Sequence, residues 1–198
     1  KRADEVRQGG QRRYWSGNLY QSQATALCSL YYDAGRPDDV IRMVDAFPYW
    51  GAKDVKDIVD LYFGYGLDAS HTMPVSVALA YALHEKGRDS EALPIIRRAL
   101  DTMGGYDPAY ELLVKIEGAN AIGTLDTLYS RDQFEERPLI WKAHLLREAG
   151  NLDDAEQVAR AAIAIDPSDG EQGKGRRMRV YAELAEILDA KGDKTNAD

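Results

Sequence analysis

The sequence predicts an all-α chain of antiparallel helix pairs stacked into a solenoid of about ten helices. Three observations predict it. A fixed spacing of small residues around a central glycine recurs along the chain. Apolar residues between the recurrences follow the helical period. Acidic residues gather where the second helix of each pair would begin. Composition agrees: 198 residues with 44% hydrophobic and 29% charged side chains are enough to bury a core. No apolar run reaches the ~18 residues of a membrane span. Thirty-three acidic residues against 25 basic, a net charge of −8, argue against a general nucleic-acid binder. The single cysteine, Cys28, leaves no intramolecular disulfide framework.

The elements follow in order. The first unit, near 21–52, carries Cys28, Gly35, Val40 and Phe47 at the recurring positions. A degenerate helix over 53–66 follows, with Val55, Ile58, Val59 and Tyr62 on one i, i+3, i+4, i+7 stripe. The second unit, 73–104, carries Ala80, Gly87, Ala92 and Ala99. A degenerate helix pair is expected over 107–131, with Leu112, Leu113 and Ile116, then Ile122, Leu125 and Tyr129. The third unit, 136–167, carries Ala143, Gly150, Ala155 and Ala162, closed by Pro167. The polar, glycine-rich stretch Ser168–Gly175 reads as a loop. A partial unit, 178–198, has Ala185 and Gly192 and then stops.

The spacing has a mechanical meaning. Seven residues are about two helical turns, so small residues seven apart share a face and let two helices approach closely. The glycine between them ends the first helix in the left-handed conformation. Asp38–Asp39, Asp89–Ser90 and Asp153–Asp154 then fall in first turns, where negative charge suits the helix dipole.

The stretch LIWKAHLLREAGNLDDAEQVARAAIAIDP, Leu139 to Pro167, resembles a tetratricopeptide repeat. It has the small residue before the turn, the glycine, the acidic pair, both alanines and the closing Asp-Pro. Met73 to Gly104 is similar without the proline, and Gln21 to Ala52 is a weaker match. The glycine markers stand 52, 63 and 42 residues apart, against the ~34 of a regular array. The resemblance implies a single domain over 1–198, wound as a right-handed superhelical solenoid. Lys1 rather than Met at the start, and the shortened last unit, suggest a segment of a longer chain. These residues assign no compartment.

Little in the sequence points to chemistry. His71, His84 and His144 lack metal-ligand spacing, so no metal and no cofactor are expected. Gly170–Gly175 lacks the spacing and context of a phosphate loop. The carboxylate pairs Asp38–Asp39, Glu135–Glu136 and Asp153–Asp154 sit at helix starts, where capping accounts for them. No nucleophile motif occurs, so no catalytic residue is assigned. The basic cluster Lys174, Arg176, Arg177 and Arg179 reads as a solvated helix end or as a contact for an anionic partner. Eleven of the 18 aromatics fall within the first 66 residues, which suits packing or an aromatic contact surface.

Stacked helix pairs offer an extended concave surface. The resemblance implies that the first helix of each pair lines it. In that register the groove includes Thr25, Ser29, Tyr32, Val77, Tyr81, His84, Ile140, His144 and Arg147, then Arg179, Ala182 and Glu186 in the last helix. The Lys/Asn carboxylate clamp of some family members is absent, although Arg147 with His144 would attract an acidic peptide. The expected function is a non-catalytic scaffold or assembly module that binds a partner protein or peptide in this groove. Self-association through terminal helices is one form this could take, and no nucleic acid or membrane insertion is expected. Two other readings stand beside it: an accessory segment of a larger multi-domain enzyme, and a sensor for a small ligand or peptide.

Overall fold

The computed structural model describes residues 26–46, 73–102, 104, 106–165 and 179–192. Thr25, Phe47, the expected helix over 53–66, the loop Ser168–Gly175, and Lys174, Arg176 and Arg177 lie outside the described residues. Every regular element among the described residues is helical. Residues 26–33 form a helical stretch, and eight α-helices have both ends described. They are α1 (Pro37–Ala46), α2 (Val75–Glu85), α3 (Asp89–Thr102), α4 (Asp107–Glu117), α5 (Ala121–Arg131), α6 (Arg137–Glu148), α7 (Leu152–Ile165) and α8 (Arg179–Ala190). The chain divides into two compact units, Lys1–Thr102 and Met103–Asp198. Among the described residues, no helix is long and apolar enough to cross a membrane.

The turn between paired helices is the same object three times. Gly35, Gly87 and Gly150 have φ of 62°, 70° and 78°. At each, the glycine N–H donates three residues back: to Tyr32, His84 and Arg147, at 2.9, 2.8 and 2.9 Å. The next N–H donates five residues back, Arg36 to Tyr31, Arg88 to Leu83 and Asn151 to Leu146, each at 2.9 Å. This pair of bonds is the Schellman closure, which satisfies the orphan carbonyls of the helix end. Gly192, at φ 79°, ends α8 in the same conformation.

The small-residue positions form the seam of each pair. Cys28 and Val40 in the first helix pair are fully buried. So are Ala80, Ala92 and Ala99 in the pair α2/α3, and Ala143, Ala155 and Ala162 in the pair α6/α7. Alanine at these places in α2/α3 and α6/α7 lets the backbones meet closely, while the first pair seats the bulkier Val40 at the position of Ala92 and Ala155.

In the first unit α2 packs against both α1 and α3. Nine consecutive residues of α2, Val75 to Leu83, are buried. Such a helix, apolar on every side, belongs in an interior. In the second unit α6 packs against α4, α5, α7 and α8, and α7 also packs against α8. Leu184, Ile187 and Leu188 of α8 sit on Ala143 of α6 and on Ala155 and Ala159 of α7. Val180 sits with Leu139, Ile140 and Ala162.

A lysine-to-aspartate link marks how successive pairs meet. Lys86, just before the turn glycine of α2, reaches Asp38 at the start of α1, at 2.8 Å. Lys191, just before Gly192, reaches Asp153 at the start of α7, at 2.6 Å. The two links join equivalent positions in the two units. Exposed pairs of this kind contribute little energy, so their worth here is as a register mark.

Candidate interaction face

The first helices of the second unit, α4, α6 and α8, present side chains at helical spacing on one side of the unit. Arg137, Trp141, His144, Arg147 and Glu148 recur three, four or seven apart along α6. Arg179, Glu183 and Glu186 do so along α8. The α4 start contributes Asp107, and the approach to α6 contributes Glu135 and Glu136.

One end of this face is built around two arginines. Arg137 Nη1 donates to Glu135 Oε1 at 2.6 Å and lies 3.6 Å from Glu136. Its Nε is 3.9 Å from Asp107. Burial alone would lower the Arg137 pKa, but Glu135, Glu136 and Asp107 outweigh it and hold the value above its usual range. Glu136 is buried, a position a carboxylate holds when it is paired. Arg179 Nη1 donates to Asp107 Oδ1 at 2.9 Å, and its guanidinium carbon lies 4.0 Å over the Trp141 ring. That is cation–π geometry. The indole Nε1 of Trp141 is buried with no hydrogen-bond partner among the described residues, where the ring is held by its faces and not by its donor.

The other end joins α6 to α8. Arg147 Nε donates to Glu183 Oε1 at 2.6 Å, and its Nη2 lies 2.7 Å from Glu186. His144 Nδ1 is 3.2 Å from Glu183 Oε2, and its Nε2 is 3.4 Å from Glu148. The hydrogen bond to Glu183 raises the His144 pKa, which outweighs the opposing effect of burial. Burial would raise the Glu183 carboxyl; the hydrogen bonds from His144 and Arg147 hold it below its usual range. Trp141 meets the His144 ring edge-on at 5.6 Å between centroids.

The structure brings some expected groove residues together and takes others inside. His144 and Arg147 stand side by side, and Ile140 is 3% exposed, within the core under Val180. In the first unit Tyr32 and Tyr81 meet edge-to-face at 5.2 Å. Tyr81 and Val77 are buried. Ser29 is buried too, and its hydroxyl accepts from the Met73 N–H at 3.1 Å. His84 Nδ1 lies 2.7 Å from Asp89 Oδ1. The two described arginines assigned to an anionic partner are committed within the chain: Arg147 to Glu183 and Glu186, Arg179 to Asp107 and Trp141. The groups left facing solvent on this face are the Glu148 and Glu186 side chains, 58% and 60% exposed, together with Ala182.

Sequence reasoning passed over Glu183, Asp107 and Trp141. Glu183 had a signal: it lies four residues after Arg179 and three before Glu186, in the same register. Trp141 had the same kind of signal, three residues before His144 in the α6 register, whereas Asp107 had none, because only the packing of α4, α6 and α8 brings it to Arg179.

The carboxylate pairs serve as charge partners. Asp39 pairs with Arg36 and Arg42, Asp38 with Lys86, and Asp153 with Lys191. Burial pushes the Cys28 thiol up to about 12, which removes the thiolate that nucleophilic or metal chemistry would need. Among the described residues no group of three or more His, Cys, Asp or Glu side chains is placed to hold a metal ion.

Residues 137–169 match the family model of the tetratricopeptide repeat. That match spans α6 and α7, the pair whose sequence carries the resemblance most fully. No curated protein matches the chain in sequence. Among solved structures, the fold is similar to MamA 41-end from Desulfovibrio magneticus RS-1. The TM-score is 0.52 at 13% identity, covering 89% of this chain and 88% of that one. The MamA RS-1 ArsTM double mutant gives a TM-score of 0.51 at 13% identity, with the same coverage. At this identity the likeness is one of fold.

Proposed function

We propose that this chain is a non-catalytic interaction scaffold whose helix pairs stack as a right-handed superhelical solenoid, with the first helices of its pairs lining a groove for a partner protein. The observation that carries the reading is the repeated pair itself. One turn closure recurs at Gly35, Gly87 and Gly150, and one of these pairs carries the tetratricopeptide match. Repeats of this kind expose extended surfaces suited to partner segments. The functional step rests on fold resemblance.

The face of the second unit narrows the partner's chemistry. Six carboxylates there, Asp107, Glu135, Glu136, Glu148, Glu183 and Glu186, stand with three arginines and His144. Glu148 and Glu186 pair with His144 and Arg147, and in each pair the carboxylate is the more exposed end, so the charge turned to solvent is negative. A partner segment carrying Lys or Arg beside small apolar residues suits Glu148, Glu186 and Ala182. An acidic peptide does not. Charge complementarity of this sort favours encounter and register more than raw affinity. In the first unit the corresponding contributors are Tyr32 and His84.

The test is site-specific photo-crosslinking in the source cells. A crosslinking side chain replaces Ala182 on the face, and in a second chain Ala161, exposed on α7. One polypeptide captured from position 182 and not from 161, and lost when Glu148→Lys and Glu186→Lys are added, is the expected result. Equal capture from both positions would sink the groove reading. Capture from 182 that the charge reversals strengthen would keep the groove and overturn the basic partner.

A further inference from the structure

The Nδ1 atom of His144 has two neighbours competing for it. Glu183 Oε2, on α8, is 3.2 Å away. Arg147 Nη2, on the histidine's own helix, is 3.1 Å away. A carboxylate only accepts and a guanidinium only donates, so the proton on Nδ1 decides which of them is bonded. With the ring charged, Nδ1 donates across to Glu183 while Nε2 points to Glu148, 3.4 Å away. When the ring loses a proton, the neutral tautomer that keeps Nε2–H toward Glu148 leaves Nδ1 bare, and the ring accepts from Arg147 instead. The bond between helices is then replaced by a bond within α6, and Glu183 keeps only the arginine.

We infer that His144 is a proton-operated clasp on α8, which holds the helix against α6 when the imidazole is charged and loosens it when the imidazole is neutral. What lies beneath the clasp gives it consequence. α8 covers Ala143, Ala155 and Ala159 with Leu184, Ile187 and Leu188. Opening uncovers the small-residue surface of α6 and α7, a place shaped to receive a helix.

The surroundings are consistent with a local device. Glu183 faces the imidazole from α8, and Glu148 and Arg147 do so from α6 itself; Glu186 reaches it only through Arg147. The charged groups of the other packed elements pair elsewhere. Asp126 of α5 is held by Lys142, Asp107 of α4 by Arg179, and Asp153 and Glu156 of α7 by Lys191. The hydrogen bond to Glu183 favours the charged ring, so the clasp engages before the pH falls to the ordinary histidine value. The inference goes beyond the partner reading and is tested on the chain alone.

The experiment is amide hydrogen exchange of α8, corrected for intrinsic rates and referred to α5, at pH 5.5 and pH 8.0. In the unaltered chain, α8 opening relative to α5 rises several-fold at the higher pH. In His144→Gln, which keeps a polar side chain but cannot titrate, the ratio is the same at both values. A flat ratio in the unaltered chain overturns the inference, as does a pH dependence that survives in the variant. Should the variant fail to fold, the His144 ring nitrogens are read directly by NMR in the unaltered chain. A charged ring bonded to Glu183 at pH 5.5 supports the clasp, and a bare Nδ1 at that pH overturns it.

Discussion

The pair α2/α3 and the pair α6/α7 share a turn and a seam but differ in what their first helices touch. Positions correspond at a constant offset, Gly87 with Gly150 and Ala80 with Ala143. At that offset Tyr81 answers to His144, Ala78 to Trp141, and Ile96 to Ala159. α2 is buried from Val75 to Leu83, with no charged side chain in that run. α6 instead carries Arg137, His144 and Arg147 into contact with carboxylates. The pair is specified by two local requirements: a residue that accepts positive φ and side chains small enough for close approach. The outer face of each first helix is set by whatever packs there, so it varies freely.

The largest expected effects come from exchanging the residues that differ. Ile96 and Ala159 are both fully buried at the same position of the pair. Ile96→Ala leaves a cavity and should cost about 2–5 kcal/mol. Ala159→Ile forces bulk under Leu184, Ile187 and Leu188 and should cost about 1–3 kcal/mol. Urea denaturation followed by circular dichroism reads both. A harmless Ala159→Ile would mean that α8 does not close over α7 as described.

Gly87→Ala and Gly150→Ala probe what the pairs share. A Cβ at either glycine meets nothing within 4 Å, so the cost is conformational only. It should be about 1–2 kcal/mol and equal in the two pairs. Unequal losses would break the equivalence of the turns.

A smaller effect separates the pairs by pH. His144 takes a proton more readily in the fold than in the unfolded chain, where its ordinary value is 6.5. Its contribution is therefore complete below that value and lost as pH rises through the folded one. Glu183 is held more acidic than its ordinary 4.5, so its contribution is complete above that value and lost as pH falls. Docking of α8 should be firmest between about pH 4.5 and 6.5, judged by the melting temperature of the second unit. In Glu183→Gln the decline on the alkaline side should flatten. The smallest effect is at the register links. Lys86→Ala and Lys191→Ala should leave thermal melts unchanged within error, as exposed pairs usually do.

What the sequence made legible follows from the same division. Local rules act within a few residues, and they leave marks: the glycines at 35, 87, 150 and 192 all have positive φ. The seam residues around them are buried. The tetratricopeptide match falls on the stretch with every mark in place. The face was harder to read, because membership depends on contacts between helices far apart in the chain. Asp107 and Arg179 are 72 positions apart and meet at 2.9 Å. Periodicity put Tyr81 and Ile140 on the first-helix face, but it cannot tell a face that is open from one that a neighbour covers. Charge was misleading for a related reason. Arg147 looks available until Glu183 and Glu186 are seen beside it.

Cys28 stands where the other pairs have Ala80 and Ala143, and it is the chain's one thiol. Evolutionary distance aside, a sulfhydryl at that place is a chemical stopwatch. A thiol reagent added to the folded protein waits until the helical stretch 26–33 parts from its neighbours. The rate of labelling therefore times the opening of the first unit alone, with no probe introduced and no second site to subtract.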